Sequence, residues 1–323
     1  MSSMLPLPSF DLQRPETVDA ATRLMAEHES ARLIAGGTDL LPSMKYGIFK
    51  DPVLVSTRRI AGFTDIVEAD DGGLRIGAGA TLRKVQRHAA VAERYPALAA
   101  ACATVATPTI QAMGTIGGNV MLDTRCVWYN QSTFWRDSLK GCLKCEGSLC
   151  HVAPKGTGCY AAHSADTVPV LTLLDARAEL ASVRRVRQVP LAELYDVDGR
   201  TWIKKQRDEL LTAIVLPPAP GAVLVHRKLR SRGAIDYPLL LTAARLDRGD
   251  DGAITGGRVI VSAVGPQPIE VEGVGELLAA GEIERAAEVA YKQIFPLATH
   301  VWSSTWRKKM VRVEVRRALE SIS

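Results

Sequence analysis

The chain has 323 residues, 47% of them hydrophobic and 23% charged, with 40 basic against 35 acidic side chains and a formal net charge of +5. That length predicts two or three domains of about 100–200 residues, and the composition supplies apolar material for a real core. So mild a positive excess gives no reason to invoke nucleic acid, and no apolar run approaches the ~18 residues of a membrane helix. Met1 to Pro6 carry neither the basic nor the apolar region of a secretory signal, which predicts a cytoplasmic protein.

Residues 15–29 read as a helix, with Val18, Ala21, Leu24 and Met25 on one face. The apolar run Leu33-Ile34-Ala35 reads as a buried strand ending in a glycine turn, with a short helix after it over Leu40 to Lys45. Val53 to Val55 is a further strand. Ile66 to Ala69 and Leu74 to Gly77 flank Asp70-Asp71-Gly72-Gly73 and predict a hairpin. Thr81 is placed to cap a helix, and Leu98 to Val105, which holds Cys102, reads as a buried one. Residues 120–165 break the pattern: aromatic, glycine and cysteine residues crowd together without a period, so something other than a ladder or a helix stripe must hold them. Val168 to Leu174 is a buried apolar run, and Ala178 to Leu191 a strand pair.

Leu216-Pro217-Pro218-Ala219-Pro220-Gly221 has the proline density of a boundary. Strand-like runs follow at Ala222–Val225, Leu239–Leu246 and Arg258–Ala263, then helical patterns over 274–292 and 306–320, giving an α+β segment. The basic residues of the last helix, Arg307, Lys308, Lys309, Arg312, Arg316 and Arg317, read as a solvated face.

Two glycine loops carry chemistry. Leu33-Ile34-Ala35-Gly36-Gly37-Thr38-Asp39-Leu40 and Gly114-Thr115-Ile116-Gly117-Gly118-Asn119 offer backbone amides without obstructing side chains, as a diphosphate requires. Either loop alone is an ordinary turn; together they could grip an elongated dinucleotide from two sides. Gly77-Ala78-Gly79-Ala80-Thr81-Leu82 half-matches a Rossmann fingerprint but lacks its third glycine, and no G-x-x-x-x-G-K-[ST] loop is present.

Five of the six cysteines, Cys126, Cys142, Cys145, Cys150 and Cys159, fall in the irregular segment. Four thiolates suit tetrahedral zinc or a [4Fe–4S] cluster, and spacing does not separate the two. Either would order the segment, because metal binding contributes folding free energy. Cys102 reads as core. His151 and His163 lie near the cysteines and His226 in a predicted strand; none forms a catalytic constellation, and no catalytic residue is assigned.

The pair Ala35-Gly36-Gly37-Thr38-Asp39 and Thr115-Ile116-Gly117-Gly118-Asn119 resembles the double FAD signature of the medium subunits of molybdenum hydroxylases. The resemblance implies an α+β fold: a two-part FAD-binding domain of the vanillyl-alcohol-oxidase and CO-dehydrogenase-flavoprotein type over residues 1–218, and an α+β C-terminal domain over 219–323. It places FAD on both loops, Asp166 near the flavin's sugar chain and Lys228 near its ring. The insert at about 120–165, with Tyr129-Asn130-Gln131-Ser132, is similar to that of 4-hydroxybenzoyl-CoA reductase β subunits. A related insert occurs in some aldehyde oxidoreductases. This similarity implies a [4Fe–4S] cluster on Cys126, Cys142, Cys150 and Cys159, with Cys145 extra to the pattern. It further implies a subunit that relays electrons from ferredoxin through the cluster and FAD to [2Fe–2S] clusters and molybdopterin in two partner subunits, in a dimer of heterotrimers. The expected reaction is reductive dehydroxylation of 4-hydroxybenzoyl-CoA to benzoyl-CoA. The rival readings are another molybdenum hydroxylase subunit, a zinc-stabilised nucleotide-binding module and an NAD(P)H-dependent flavin reductase.

Overall fold

The computed structural model describes residues 5–299 and 302–323, so Met1 to Met4 of the predicted leaderless start lie outside the described residues. Among the described residues no helix is long and apolar enough to cross a membrane.

The fold is a mixture of helices and three sheets. The first sheet is parallel, with Val53–Ser56 between Asp11–Gln13 and Ala31–Ile34. Parallel neighbours need a crossover, and the helix Val18–Glu27 supplies one of them, capped by Thr17, whose hydroxyl accepts from the Ala20 amide. The second sheet is antiparallel, in the order Ile66–Glu68, Leu74–Gly77, Leu210–Leu216, Arg177–Ala181, Val186–Pro190. Its centre, Leu210–Leu216, enters from far along the chain and closes over the helices between residues 82 and 120.

The third sheet, in the order Ile269–Glu270, Ile254–Ser262, Leu240–Arg248, Ala222–Leu229, is antiparallel. Its core of Leu240, Leu246, Val259 and Val261 packs against Ala286, Ala290, Val311 and Val315 of two C-terminal helices, Ile283–Gln293 and Ser304–Glu320.

The buried apolar run at Val168 to Leu174 is a buried helix, Val168–Leu173, and two sequence expectations change. The pattern over 274–292 is two helices, Gly275–Ala279 and Ile283–Gln293, because Gly281 adopts φ 72°, a left-handed conformation that ends the first. The basic face of Ser304–Glu320 is not wholly solvated: Arg307 is 4% exposed and donates to the carbonyls of Leu239 and Ala263, ends of two strands. Burial lowers its pKa to about 10. Arg307 is thus a strut between helix and sheet, which charge periodicity on its own does not reveal.

Two histidines tie the third sheet to the rest. His163 is fully buried; its amide donates to the Gly265 carbonyl and its own carbonyl accepts from the Ser262 hydroxyl. Its ring stacks between Tyr195, at 4.7 Å, and Trp202, at 5.7 Å. His226, on Ala222–Leu229, meets the Thr104 hydroxyl through Nε2 at 3.2 Å. Burial lowers both imidazole pKa values to about 3. Each therefore stays neutral when folded and takes up a proton on unfolding below its ordinary value near 6.5. Their stabilising contribution is complete above that value and is lost as pH falls toward 3, at about 1.4 kcal/mol per pH unit for each histidine. Urea unfolding between pH 7 and pH 5 should show this slope, and His163→Phe, which keeps the stack, should reduce it by one proton. An unchanged slope in that variant would show that His163 is not the titrating group.

Candidate functional site: a glycine-walled cavity beside a cysteine insert

A cavity of about 880 Å³ lies where the first and second sheets meet the C-terminal sheet, within the size range of small-molecule and cofactor sites. Its wall includes Leu33, Ile34, Ala35, Gly36, Gly37, Thr38, Asp39 and Leu40 from one loop, and Gly114, Thr115, Gly117, Gly118 and Asn119 from the other. Asp166 and Lys228 also line it. Ile116 does not: its side chain is fully buried in the core, because it begins a helix, Ile116–Val120, whose apolar side faces inward.

The two loops touch. A Cβ on Gly36 would overlap the Met113 carbonyl oxygen and stand 3.1 Å from Gly114 Cα. One on Gly117 would stand 2.7 Å from both Cβ and O of Ala78. Glycine is therefore required by space at both positions, and the absence of side chains leaves backbone facing the cavity. Thr115 caps its helix by accepting from the Gly118 amide at 3.0 Å. The Asn119 amide oxygen accepts from the Thr167 hydroxyl at 2.7 Å and the Thr167 amide at 3.2 Å, which fixes the side chain and leaves its amide nitrogen as a donor.

Charge is placed with care. Lys228 Nζ stands 2.7 Å from Asp166 Oδ1 and donates also to the Thr104 carbonyl at 3.0 Å; both side chains of the pair are nearly inaccessible. Burial raises the Asp166 pKa and Lys228 opposes that rise. Asp39 pairs with Arg125 at 2.9 Å; burial raises its pKa and Arg125 opposes the rise. The two acids named from sequence are thus held by cations that come from elsewhere in the chain, Arg125 from the insert and Lys228 from the third sheet.

Other wall residues gave no signal in the sequence. Ala78 comes from the run that half-matches a Rossmann fingerprint; its carbonyl accepts from the Gly117 amide at 2.9 Å, so it braces the second loop. Arg32 stacks over Phe49 at 3.9 Å and pairs with Asp51 at 2.6 Å. Trp202, Lys205 and Tyr237 complete the wall from distant segments.

The irregular segment contains one short helix, Thr133–Ser138, capped by Ser132. Its thiols are all free. Cys126 has Cys159 and Cys142 as charged neighbours, and Cys159 has Cys150 and Cys142. Burial pushes the Cys126 thiol up to about 11 and raises Cys159, and the neighbouring thiols add to each rise. Cys145 instead forms a tight turn with Cys142: the Cys145 amide donates to the Cys142 carbonyl at 2.7 Å. Among the described residues no three histidine, cysteine or acidic side chains stand close enough to share a single metal ion. His151 Nε2 donates to the Gly141 carbonyl at 2.7 Å and its ring lies 5.4 Å from that of Trp128, while His163 belongs to the aromatic stack. Cys102 is core, as expected.

Comparison with known proteins gives a consistent family. The family described as FAD binding domain in molybdopterin dehydrogenase matches residues 8–219. The chain is 29% identical to the aldehyde oxidoreductase FAD-binding subunit PaoB of Escherichia coli K12, over 93% of each chain. It is 25% identical to the xanthine dehydrogenase FAD-binding subunit of Escherichia coli O157:H7, over 95% of this chain and 93% of the relative. A solved structure of Cu,Mo-CO dehydrogenase superposes with a TM-score of 0.79 at 25% identity, covering 98% of both chains. The glycine cradle and these matches agree: this chain belongs to the FAD-binding medium subunits of the molybdenum hydroxylase family.

Proposed function

We propose that the chain is the electron-relay subunit of a molybdenum hydroxylase complex, with FAD in the glycine-walled cavity and an iron–sulfur cluster in the cysteine insert. The observation that carries the first part is the contact between the two glycine loops, where Gly36 packs on the Met113 carbonyl and Gly114 with no room for a side chain, and both loops line the cavity. The diphosphate is assigned to Gly36 to Asp39 and Thr115 to Asn119, and Asp166 and Lys228 to the sugar chain and ring. FAD, when bound, supplies exchange between one- and two-electron traffic. The chain's own residues orient it, exclude water and hold charge beside it: the Lys228–Asp166 pair at one end, the Arg125–Asp39 pair at another.

The second part is supported by the grouping of Cys126, Cys142, Cys150 and Cys159. Four thiols in one insert are a donor set that a [4Fe–4S] cluster takes and that tetrahedral zinc takes as well; the similarity of the insert to iron–sulfur inserts favours the cluster. Burial holds the Cys126 and Cys159 thiols protonated, so a metal bound there must displace their protons. The reading divides the chain into a FAD-binding part, residues 1–218, with the insert at about 120–165, and a C-terminal part, residues 219–323, in a cytoplasmic assembly with a molybdopterin subunit and a [2Fe–2S] subunit.

Two substrates are in view. The insert, through Tyr129 to Ser132, favours 4-hydroxybenzoyl-CoA reduced at the expense of ferredoxin. The 29% identity to PaoB favours an aldehyde as the reductant. The test begins with the anaerobically purified chain: about four irons and one FAD per chain, and an electron paramagnetic resonance signal after dithionite reduction. Zinc without flavin would overturn the reading. Assay of the assembled complex with benzaldehyde and with 4-hydroxybenzoyl-CoA then assigns the substrate.

A further inference from the structure

The cysteine insert and the first glycine loop are joined by a row of alternating charges. Asp39, in the loop, pairs with Arg125 at 2.9 Å. Arg125 Nε lies 3.9 Å from Asp123 Oδ2, and Asp123 Oδ1 lies 2.6 Å from Lys144 Nζ. The row ends at Lys144, inside the turn between Cys142 and Cys145. Its two cations sit beside cysteines in sequence: Arg125 next to Cys126, and Lys144 between Cys142 and Cys145. Asp39, Asp123 and Lys144 all border the cavity.

Lys144 is the best-held member. Its side chain is 8% exposed, and its ammonium also donates to the Thr124 hydroxyl, the Thr124 carbonyl at 2.9 Å and the Gly199 carbonyl at 2.8 Å. A lysine buried this way holds its whole segment, because its charge has no substitute partner once withdrawn. A second tie runs alongside: Tyr129, on the cavity wall, donates its amide to Cys126 Sγ at 3.4 Å, and its ring lies 5.3 Å from Lys144 Nζ.

From this geometry we infer that the two cofactor sites are thermodynamically linked through the row Asp39–Arg125–Asp123–Lys144, with Lys144 as the positioning residue. The inference rests on the reading that the insert holds iron. Ordering of the insert by iron fixes Lys144 and Arg125, and these fix Asp123 and Asp39 at the cavity. Iron loading therefore tightens FAD binding, and by reciprocity FAD strengthens iron retention by the same factor.

The full-length chain is stripped of iron and flavin anaerobically, and half is reconstituted with iron and sulfide. FAD titration by flavin fluorescence should give a Kd about tenfold lower for the iron-loaded chain, within the usual range of such couplings. Lys144→Met should bring the two Kd values together at an unchanged iron stoichiometry, and Lys144→Arg should restore part of the difference. Equal Kd values in the iron-loaded and iron-free wild type, or a tenfold difference that persists in Lys144→Met, would overturn the linkage. The reciprocal measurement needs no variant and so stands even if Lys144→Met does not fold: at equilibrium with a chelator, the wild type should keep more iron when FAD is present, and equal retention overturns the inference. Failure of the wild type to take up iron at all removes the cluster reading, and the linkage with it.

Discussion

Gly36→Ala is expected to strip FAD from the chain while leaving it folded. The added Cβ falls on the Met113 carbonyl oxygen and within 3.1 Å of Gly114 Cα, and backbone atoms cannot swing aside as a side chain could. Gly36 does not have positive φ, so the penalty is one of space and not of torsional strain. The two loops must part, and overpacking of this kind costs about 1–3 kcal/mol. Because the loops are the proposed cofactor cradle, that cost appears in cofactor affinity, where each 1.4 kcal/mol is about tenfold in Kd. Flavin content of the purified variant and its thermal midpoint in excess FAD separate loss of binding from loss of fold. Gly221→Ala, at a linker glycine with nothing within 4 Å of the new methyl, is the matched control and should keep its flavin. Wild-type flavin affinity in Gly36→Ala would count decisively against the cradle.

Cys150→Ser is expected to remove the iron signal and to loosen the insert. Cys150 is 5% exposed, is a charged neighbour of Cys159, and is one of the four proposed ligands. A serine oxygen is a poor substitute for a soft thiolate toward iron. The insert has one six-residue helix of its own, so most of its order must come from whatever the cysteines hold and from the Lys144 and Arg125 ties. Limited proteolysis should therefore cut between residues 126 and 159 in the variant and not in the loaded wild type. FAD should still bind, with the weaker affinity of an iron-free insert. Cys145→Ser, extra to the proposed ligand set, should keep its iron, and Cys102→Ser, in the core, should be neutral to both cofactors. A full iron complement in Cys150→Ser would reassign the ligand set and bring Cys145 back into it.

Much of the local structure was legible because it depends on local rules. Thr17, Thr81, Thr115 and Ser132 each cap a helix through a side-chain oxygen, and Thr81 was expected to do so. The hairpin Ile66–Glu68 with Leu74–Gly77 follows from its aspartate–glycine turn, and the short helix Leu40–Lys45 from the loop before it. The irregular character of residues 120–165 was also evident, since absence of a period is itself a local property.

What the sequence determined by itself was the inventory: two glycine loops, one cysteine-rich insert, a proline-rich break and a mixed set of strands and helices. These are legible because turn chemistry, caps and side-chain period act over a few residues. The tertiary structure decided which of them meet. Ala78 braces Gly117, Arg307 bridges two strand ends, His163 stacks with Tyr195 and Trp202, and Ile116 turns away from the cavity. It also decided that Arg125 and Lys144, to which the sequence assigns no role, run from the cysteine turn to the first glycine loop. Such pairings join residues far apart along the chain, and burial of charge is a property of the packed molecule, so no pattern in the sequence could carry them.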